Sequence, residues 1–111
     1  MFSKDKSELY SKYALISDLI GFTDIHISLE ILEKDRRMSK PHYHTKKEEF
    51  FYIISGTVSV MVGESESVIS EGECIGFSPQ KEEFHYIVNK SDLLAKILVV
   101  STKDKMDKII Y

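Results

Sequence analysis

Residues 41–56 read PHYHTKKEEFFYIISG, and this stretch decides how the rest of the chain is interpreted. His42 and His44 are two positions apart, and on an extended chain that spacing places both imidazoles on one face. The polar residues 45–48 can turn the chain before Glu49 opens an apolar segment that ends at Gly56. The stretch therefore predicts two aligned histidines followed by a strand that starts with a carboxylate.

A third histidine begins another predicted strand, in which His85, Ile87 and Asn89 share a face. A barrel would bring His85 beside the histidine pair. Three imidazole nitrogens and one carboxylate oxygen suit zinc, manganese, iron, cobalt or nickel. An octahedral ion held in this way keeps open positions for water or substrate, which a catalytic metal needs.

From residue 24 onward the chain alternates between apolar and polar residues. In residues 25–31 the isoleucines and Leu29 occupy one face, and His26, Ser28 and Glu30 occupy the other. We expect the apolar face to be the core face and the three polar residues to be in solvent. Their alternative role is to line a pocket.

Short strands are also predicted at 49–55, 57–62, 67–69, 74–77, 85–89 and 93–101, with turn signals between them. Short strands at such close spacing predict an all-β sandwich or barrel.

The two ends of the chain are less regular. Residues 5–20 fit either a helical stripe or a strand that begins at Tyr13, and we expect a short helix followed by a strand. In the last ten residues Met106, Ile109 and Ile110 have helical spacing, but the segment is too short and too rich in lysine to assign. We expect it to pack on the barrel or on a second subunit.

Length and composition indicate one domain, residues 1–111, with a core at about 25–101. The net charge is −3 and the 15 lysines and arginines are scattered, which argues against nucleic acid and favours a small molecule as the partner. Cys74, the single cysteine, fits a reducing cytoplasm and is expected to be a small buried hydrophobe. No apolar run is long enough to cross a membrane, so we expect a soluble cytoplasmic protein.

The motif spacing resembles a known family. His42-x-His44-x4-Glu49-x6-Gly56, followed after 15 residues by Gly72, Pro79 and His85-x3-Asn89, resembles the two signature motifs of the cupin superfamily. This resemblance implies a double-stranded β-helix, or jelly-roll, barrel with one divalent transition metal near its mouth. The ligands it implies are His42, His44, Glu49 and His85. Glu49 fits better than Glu48 because it lies seven residues before Gly56, as the motif requires.

The sequence leaves open whether the protein is an enzyme. Phe51-Tyr52-Ile53-Ile54-Ser55-Gly56 resembles the barrel of mannose-6-phosphate isomerase-type proteins, which implies a metal-dependent enzyme acting on a small polar metabolite. Such an enzyme would isomerise a sugar or sugar phosphate, or add dioxygen to its substrate. The alternatives are a non-catalytic protein that binds or senses a metal or small molecule, and an interaction module.

Several other side chains have expected roles. The face formed by Phe50, Tyr52 and Ile54 is too apolar for water and predicts a homodimer surface or a second layer. Tyr43, Tyr52 and Tyr86 are one residue off the ligand positions and should point away from the metal. Asn89 should make a structural hydrogen bond. The loop residues Lys46, Lys47, Lys81, Glu82 and Glu83 should form a solvated rim, with binding of a phosphate or carboxylate as the alternative.

Overall fold

The computed structural model describes residues 9–111, and in that part of the chain nearly all regular structure is β. The strands are β1 (Lys12–Leu15), β2 (Ile25–Leu32), β3 (Tyr43–His44), β4 (Glu49–Ser55), β5 (Thr57–Val62), β6 (Ser65–Ser70), β7 (Cys74–Phe77), β8 (His85–Val88), β9 (Ala95–Thr102) and β10 (Ile109–Ile110). A single helical turn, α1 (Ile16–Ile20), lies between β1 and β2.

The strands form three antiparallel sheets. Their orders are β1-β2-β9-β4-β7, β6-β5-β8 and β10-β3. The hydrophobic core lies between the two larger sheets, because Ile53 and Ile97 of the first pack in one cluster with Val60 and Ile87 of the second. The predicted all-β barrel is confirmed.

Strand bounds follow the sequence pattern closely where apolar runs end at a turn. The predicted strands 49–55, 57–62 and 74–77 have the observed bounds, and the other predicted strands differ from the observed ones by a few residues at their ends. Gly56 separates β4 from β5 with φ of 88°, a conformation that favours glycine.

The prediction for the two faces of β2 is wrong. Ser28 is 2% exposed and Leu32 is fully buried, whereas Ile25 on the other face is 42% exposed. The polar residues His26, Ser28 and Glu30 therefore face the barrel interior, and the isoleucines face outward. The reason is that this end of the interior is a polar cavity rather than a packed core.

The described part of the N-terminal region has its elements in the reverse of the predicted order. Residues 12–15 form β1, which pairs with β2, and the helical turn follows it. Pairing with a complete neighbouring strand stabilises these residues more than a short isolated helix would. The remainder of the predicted helix, residues 5–8, lies outside the described residues.

Three further features bear on the sequence predictions. The C-terminal segment packs on the barrel through β10, which pairs with β3, so its helical spacing has no structural counterpart. Cys74 is exposed, contrary to prediction, because it lies opposite Tyr52 on the outer face of the larger sheet. Within residues 9–111, no helix has the length and apolar character needed to cross a membrane.

Candidate metal centre

Two of the predicted ligands are aligned by backbone pairing. The amide of His42 donates to the carbonyl of His85 at 3.2 Å, and the amide of His85 donates back at 2.9 Å. Residues that exchange both hydrogen bonds lie directly opposite each other in an antiparallel pair, so their side chains share a face. His44 is two positions after His42 on the extended chain and projects to the same side.

The predicted carboxylate comes from the opposite sheet. Glu49 is the first residue of β4, and it lies opposite Ser101 on β9, which in turn lies opposite His26 on β2. This row of cross-strand neighbours faces the barrel interior, where Ser101 is 9% exposed. The side chain of Glu49 is 12% exposed and points toward the histidines.

The structure brings the four predicted side chains together at one point. The Oε1 atom of Glu49 lies 3.3 Å from Nε2 of His44, 3.3 Å from Nε2 of His85 and 3.9 Å from Nε2 of His42. Glu48, the alternative carboxylate, is exposed and lines a different groove with Phe50 and Thr102. The side chain at position 49 is therefore the one placed among the histidines.

The other ring nitrogen of each histidine is already engaged. Nδ1 of His42 lies 2.8 Å from the carbonyl of Lys40, and Nδ1 of His85 lies 3.2 Å from the carbonyl of Glu83. A carbonyl oxygen can only accept, so both Nδ1 atoms donate. Nε2 is therefore the ring nitrogen that faces Glu49, and histidine ligands of metal ions are commonly held by such a hydrogen bond at the other nitrogen.

Sequence reasoning missed a residue that completes this arrangement. Nδ1 of His44 lies 2.7 Å from a carboxylate oxygen of Asp107, which also accepts the backbone amides of Lys46 and Lys47. Burial raises the pKa of Asp107, but the hydrogen bond from His44 and those two amides outweigh it and leave the pKa below its usual value. No sequence signal could have paired residues so far apart.

An aromatic ring fixes the orientation of one imidazole. The ring of Phe77 is stacked on His85 with centroids 3.7 Å apart and an interplanar angle of 4°. Phe77 lies opposite Glu49 in the β4–β7 register and packs edge-on against Phe51. Tight packing of this kind limits the rotamers of His85.

Electrostatics favour an anionic carboxylate at position 49. Burial raises the pKa of Glu49, but the hydrogen bond with His85 and the charges of the three histidines outweigh it, so the net pKa is lowered. Burial also lowers the pKa of His42. Imidazole nitrogens and an ionised carboxylate oxygen that face a common point form a donor set that fits a divalent metal ion.

Three of the four predicted ligands have ligand atoms that all lie close to one another. His42, Glu49 and His85 each place a ligand atom within 4.8 Å of the others, and together they form a cluster able to hold a metal ion. His44 is not part of that closely spaced group, although its Nε2 atom is as near to Glu49 as that of His85. The full set of four ligands remains a prediction.

A cavity of about 220 Å³ opens onto the cluster. Besides the four candidate ligands, it is lined by polar side chains that include His26, Ser28, Glu30 and Lys47. Burial lowers the pKa of His26, as do the nearby charges of Lys47 and Lys103. Of the five loop residues expected to form a rim, Lys47 lines the cavity. The other four, Lys46, Lys81, Glu82 and Glu83, are exposed, as a solvated rim requires.

The tyrosines and Asn89 have predicted roles that the structure tests in part. Tyr43 packs against Phe84 and Tyr52 is exposed on the outer face, while Tyr86 contributes to the cavity wall, and the orientation of its side chain away from the metal stays a prediction. Asn89 is fully buried and donates to the carbonyls of Leu32 and Leu93, which confirms its structural hydrogen bonds.

Fold and site together define a small antiparallel β-barrel with a candidate metal centre at one end of its interior. Residues 28–101 match the family model of the cupin domain, so the chain belongs to the cupin family. No curated protein matches the sequence at a significant level.

Solved structures share the fold. A sugar phosphate isomerase of the cupin superfamily from Silicibacter pomeroyi superposes with a TM-score of 0.88 at 24% identity, covering 100% of this chain and 74% of its own. A candidate sugar phosphate isomerase from Acidithiobacillus ferrooxidans gives 0.86 at 23% identity, covering 91% of this chain and 64% of its own. The polyketide cyclase RemF from Streptomyces resistomycificus gives 0.77 at 15% identity, covering 98% of this chain and 78% of its own. At these identities the likeness establishes the double-stranded β-helix fold alone.

Proposed function

We propose that this protein is a metal-dependent isomerase that acts on small phosphorylated sugars. The observation that carries the proposal is the convergence of three imidazole Nε2 atoms on the Glu49 carboxylate at the wall of a polar cavity. An interaction module would have no need for such an arrangement, since its recognition surface is on the outside of the barrel.

The proposed ligands are His42, His44, Glu49 and His85, and the proposed ion is zinc, manganese, iron, nickel or cobalt. Such an ion, when bound, polarises a substrate carbonyl as a Lewis acid. The protein supplies the rest, because Asp107 and the backbone carbonyls of Lys40 and Glu83 orient the imidazoles.

A positively charged side chain at the cavity supports an anionic substrate. Lys47 lines the cavity, and its charge is felt by His26, which lies opposite Ser101 in the row that includes Glu49. The Lys47 ammonium would hold a phosphate while the sugar carbons reach toward the cluster. The two structural neighbours named for sugar phosphates are consistent with this substrate class.

The test is turnover of a panel of aldose and ketose phosphates with three to six carbons, using metal-free protein reloaded with each candidate ion. Interconversion that is lost in Glu49→Gln and kept in Glu48→Gln would support the proposal, because Glu48 lies outside the cluster. Thermal stabilisation by a sugar phosphate without turnover would indicate a binding or sensing protein instead. Uptake of dioxygen with an organic substrate would indicate an oxygenase.

We also propose that two copies of the chain associate in the cytoplasm through the outer face of the larger sheet. On this face Ile27 lies beside Val100, which lies beside Phe50, and the next row contains Leu29, Leu98 and Tyr52. Phe50 and Tyr52 are about two-fifths exposed. Contiguous apolar rows across three strands are unusual on a face in contact with water.

A further inference from the structure

Glu30 is a half-buried carboxylate in the cavity that the proposed metal centre does not use. It lies on β2 and faces the interior, in the same cavity wall as Ser28. Its Oε1 atom accepts a hydrogen bond from the Ser11 hydroxyl at 2.5 Å. In the described part of the chain, no lysine, arginine or histidine forms an ion pair with it.

The environment of Glu30 favours a proton on the carboxyl. Burial raises its pKa to about 7, and the charge of Glu49 acts in the same direction, while the Ser11 hydrogen bond opposes them. Burying a carboxylate without a cation is costly, so a fold gains no stability from such a group. Residues of this kind in cavities are often acids or bases of a reaction.

The other ionisable side chains of the cavity wall have other roles, since Lys47 and the neighbouring His26 lie where the proposed phosphate would bind. Glu49 faces three imidazoles, and each of those imidazoles is tied at Nδ1. Tyr86 is covered by the guanidinium of Arg37 at 5.4 Å from its ring centroid. Among the carboxylates of residues 9–111, only Glu30 and Glu49 line this cavity.

We propose that Glu30 is a catalytic residue that carries the proton between two neighbouring carbons of a hydroxycarbonyl substrate bound in this cavity. The inference rests on the proposed function. Ionised Glu30 accepts the proton from the carbon next to the carbonyl, and the electron pair of that C–H bond forms the C=C bond of an enediolate. A proton passes between the two enediolate oxygens, and the Glu30 carboxyl then delivers its proton to the former carbonyl carbon. Nothing is oxidised or reduced overall.

The first experiment follows deuterium from D₂O into the sugar phosphate panel by NMR, with wild-type protein, Glu30→Gln and the control Glu64→Gln. Glu64 is exposed in the turn between β5 and β6, so its loss should change nothing. Gln has the shape of Glu and can still accept from Ser11, but it cannot take up a proton. We expect Glu30→Gln to lose exchange by about 100-fold or more and to keep its metal content.

The outcomes separate the two proposals. Exchange at the wild-type rate in Glu30→Gln would overturn the role of Glu30 and leave the isomerase proposal standing. Interconversion at the wild-type rate in Glu30→Gln would also overturn it, because another group would then carry the proton. Absence of both exchange and interconversion in the wild type would overturn the isomerase proposal and Glu30's role together.

A second measurement needs no substrate. In metal-free protein labelled with ¹³C in the glutamate side chains, the carboxyl resonance that is missing from Glu30→Gln reports the titration of Glu30. A midpoint near neutral pH is the expected result. A midpoint near 4.5, the ordinary value for this side chain, would contradict the proposal because it would show that Glu30 is solvated rather than enclosed with a substrate.

Discussion

The Asp107 carboxylate lies 2.7 Å from Nδ1 of His44, so the C-terminal segment holds a side chain of the candidate metal centre. The same carboxylate accepts the amides of Lys46 and Lys47 and thereby fixes the turn between β3 and β4. Pairing of β10 with β3 brings Asp107 to this position. One residue thus links the end of the chain to both the histidine pair and the strand that begins with Glu49.

Asp107→Asn should weaken metal binding by about 10- to 100-fold. Asparagine keeps an oxygen for the two backbone amides, but its amide group cannot accept from His44 Nδ1 when that oxygen is so used. Competition with a chromophoric chelator measures the affinity. Asp104→Asn is the matched control, since the Asp104 carboxylate accepts the amide of Met106 nearby. Equal affinities in the two variants would show that Asp107 does not orient His44.

Glu30→Gln should stabilise the metal-free protein at pH 8 and have little effect at pH 5. The folded-state pKa of Glu30, about 7, is above its ordinary value of 4.5, so between these values the folded state binds more protons than the unfolded state. The stability contributed at this position therefore falls as pH rises through that interval. The difference between the two pKa values corresponds to a loss of about 3 kcal/mol at most in the free energy of unfolding at high pH. Urea unfolding at both pH values checks this, and a difference independent of pH would contradict it.

Phe50→Asp should convert a dimer into a monomer. The substitution places a charge in the centre of the apolar rows on the outer face, where Phe50 lies beside Val100. Val68→Asp is the control, because Val68 is 62% exposed on β6 in the other sheet. Sedimentation velocity distinguishes the two states. A monomeric wild type, or a Phe50→Asp variant that remains dimeric, would remove the proposed interface.

Gly56→Ala should destabilise the fold more than Gly63→Ala. Both glycines have positive φ, so an alanine at either position costs about 1 kcal/mol. A Cβ atom at position 56 would also lie 2.8 Å from the Cα atom of Ala95, whereas one at position 63 meets nothing within 4 Å. The extra loss at position 56 should be about 1–3 kcal/mol. Equal urea midpoints for the two variants would show that the approach of β9 to this turn is not tight.

The strands and the pairing of His42 with His44 on one face could be predicted from sequence because their signals are local, whereas the resemblance to the cupin motifs added Glu49 and His85. Alternation in residues 49–55 ends at a glycine, and two histidines at a spacing of two share a face in any extended chain. The inner face of β2 was predicted wrongly because hydrophobicity identifies the face that avoids water, and on this strand the outer face is the apolar one. Alternation alone cannot distinguish a core from an interface or a packed interior from a polar cavity.

The contact of Asp107 with His44 could not be predicted, because it depends on how the C-terminal segment pairs with the two-residue strand β3. The same holds for the stacking of Phe77 on His85, which follows from the register of β7 with β4. Both contacts join residues that are distant in sequence, and one chain alone carries no signal for them. Such contacts orient the side chains that the sequence predicts for the site, but they do not determine which side chains those are.

The central claim is that a metal ion is held by three imidazoles and Glu49, and elemental analysis tests it most directly. Wild-type protein, Glu49→Gln, His42→Ala, His85→Ala and the control Glu48→Gln would be purified without an affinity-metal column and reconstituted with each candidate ion. The account predicts about one ion per chain in the wild type and in Glu48→Gln, with loss in the other three variants. An ion that remains in Glu49→Gln and both histidine variants, or no ion in any sample, would contradict it.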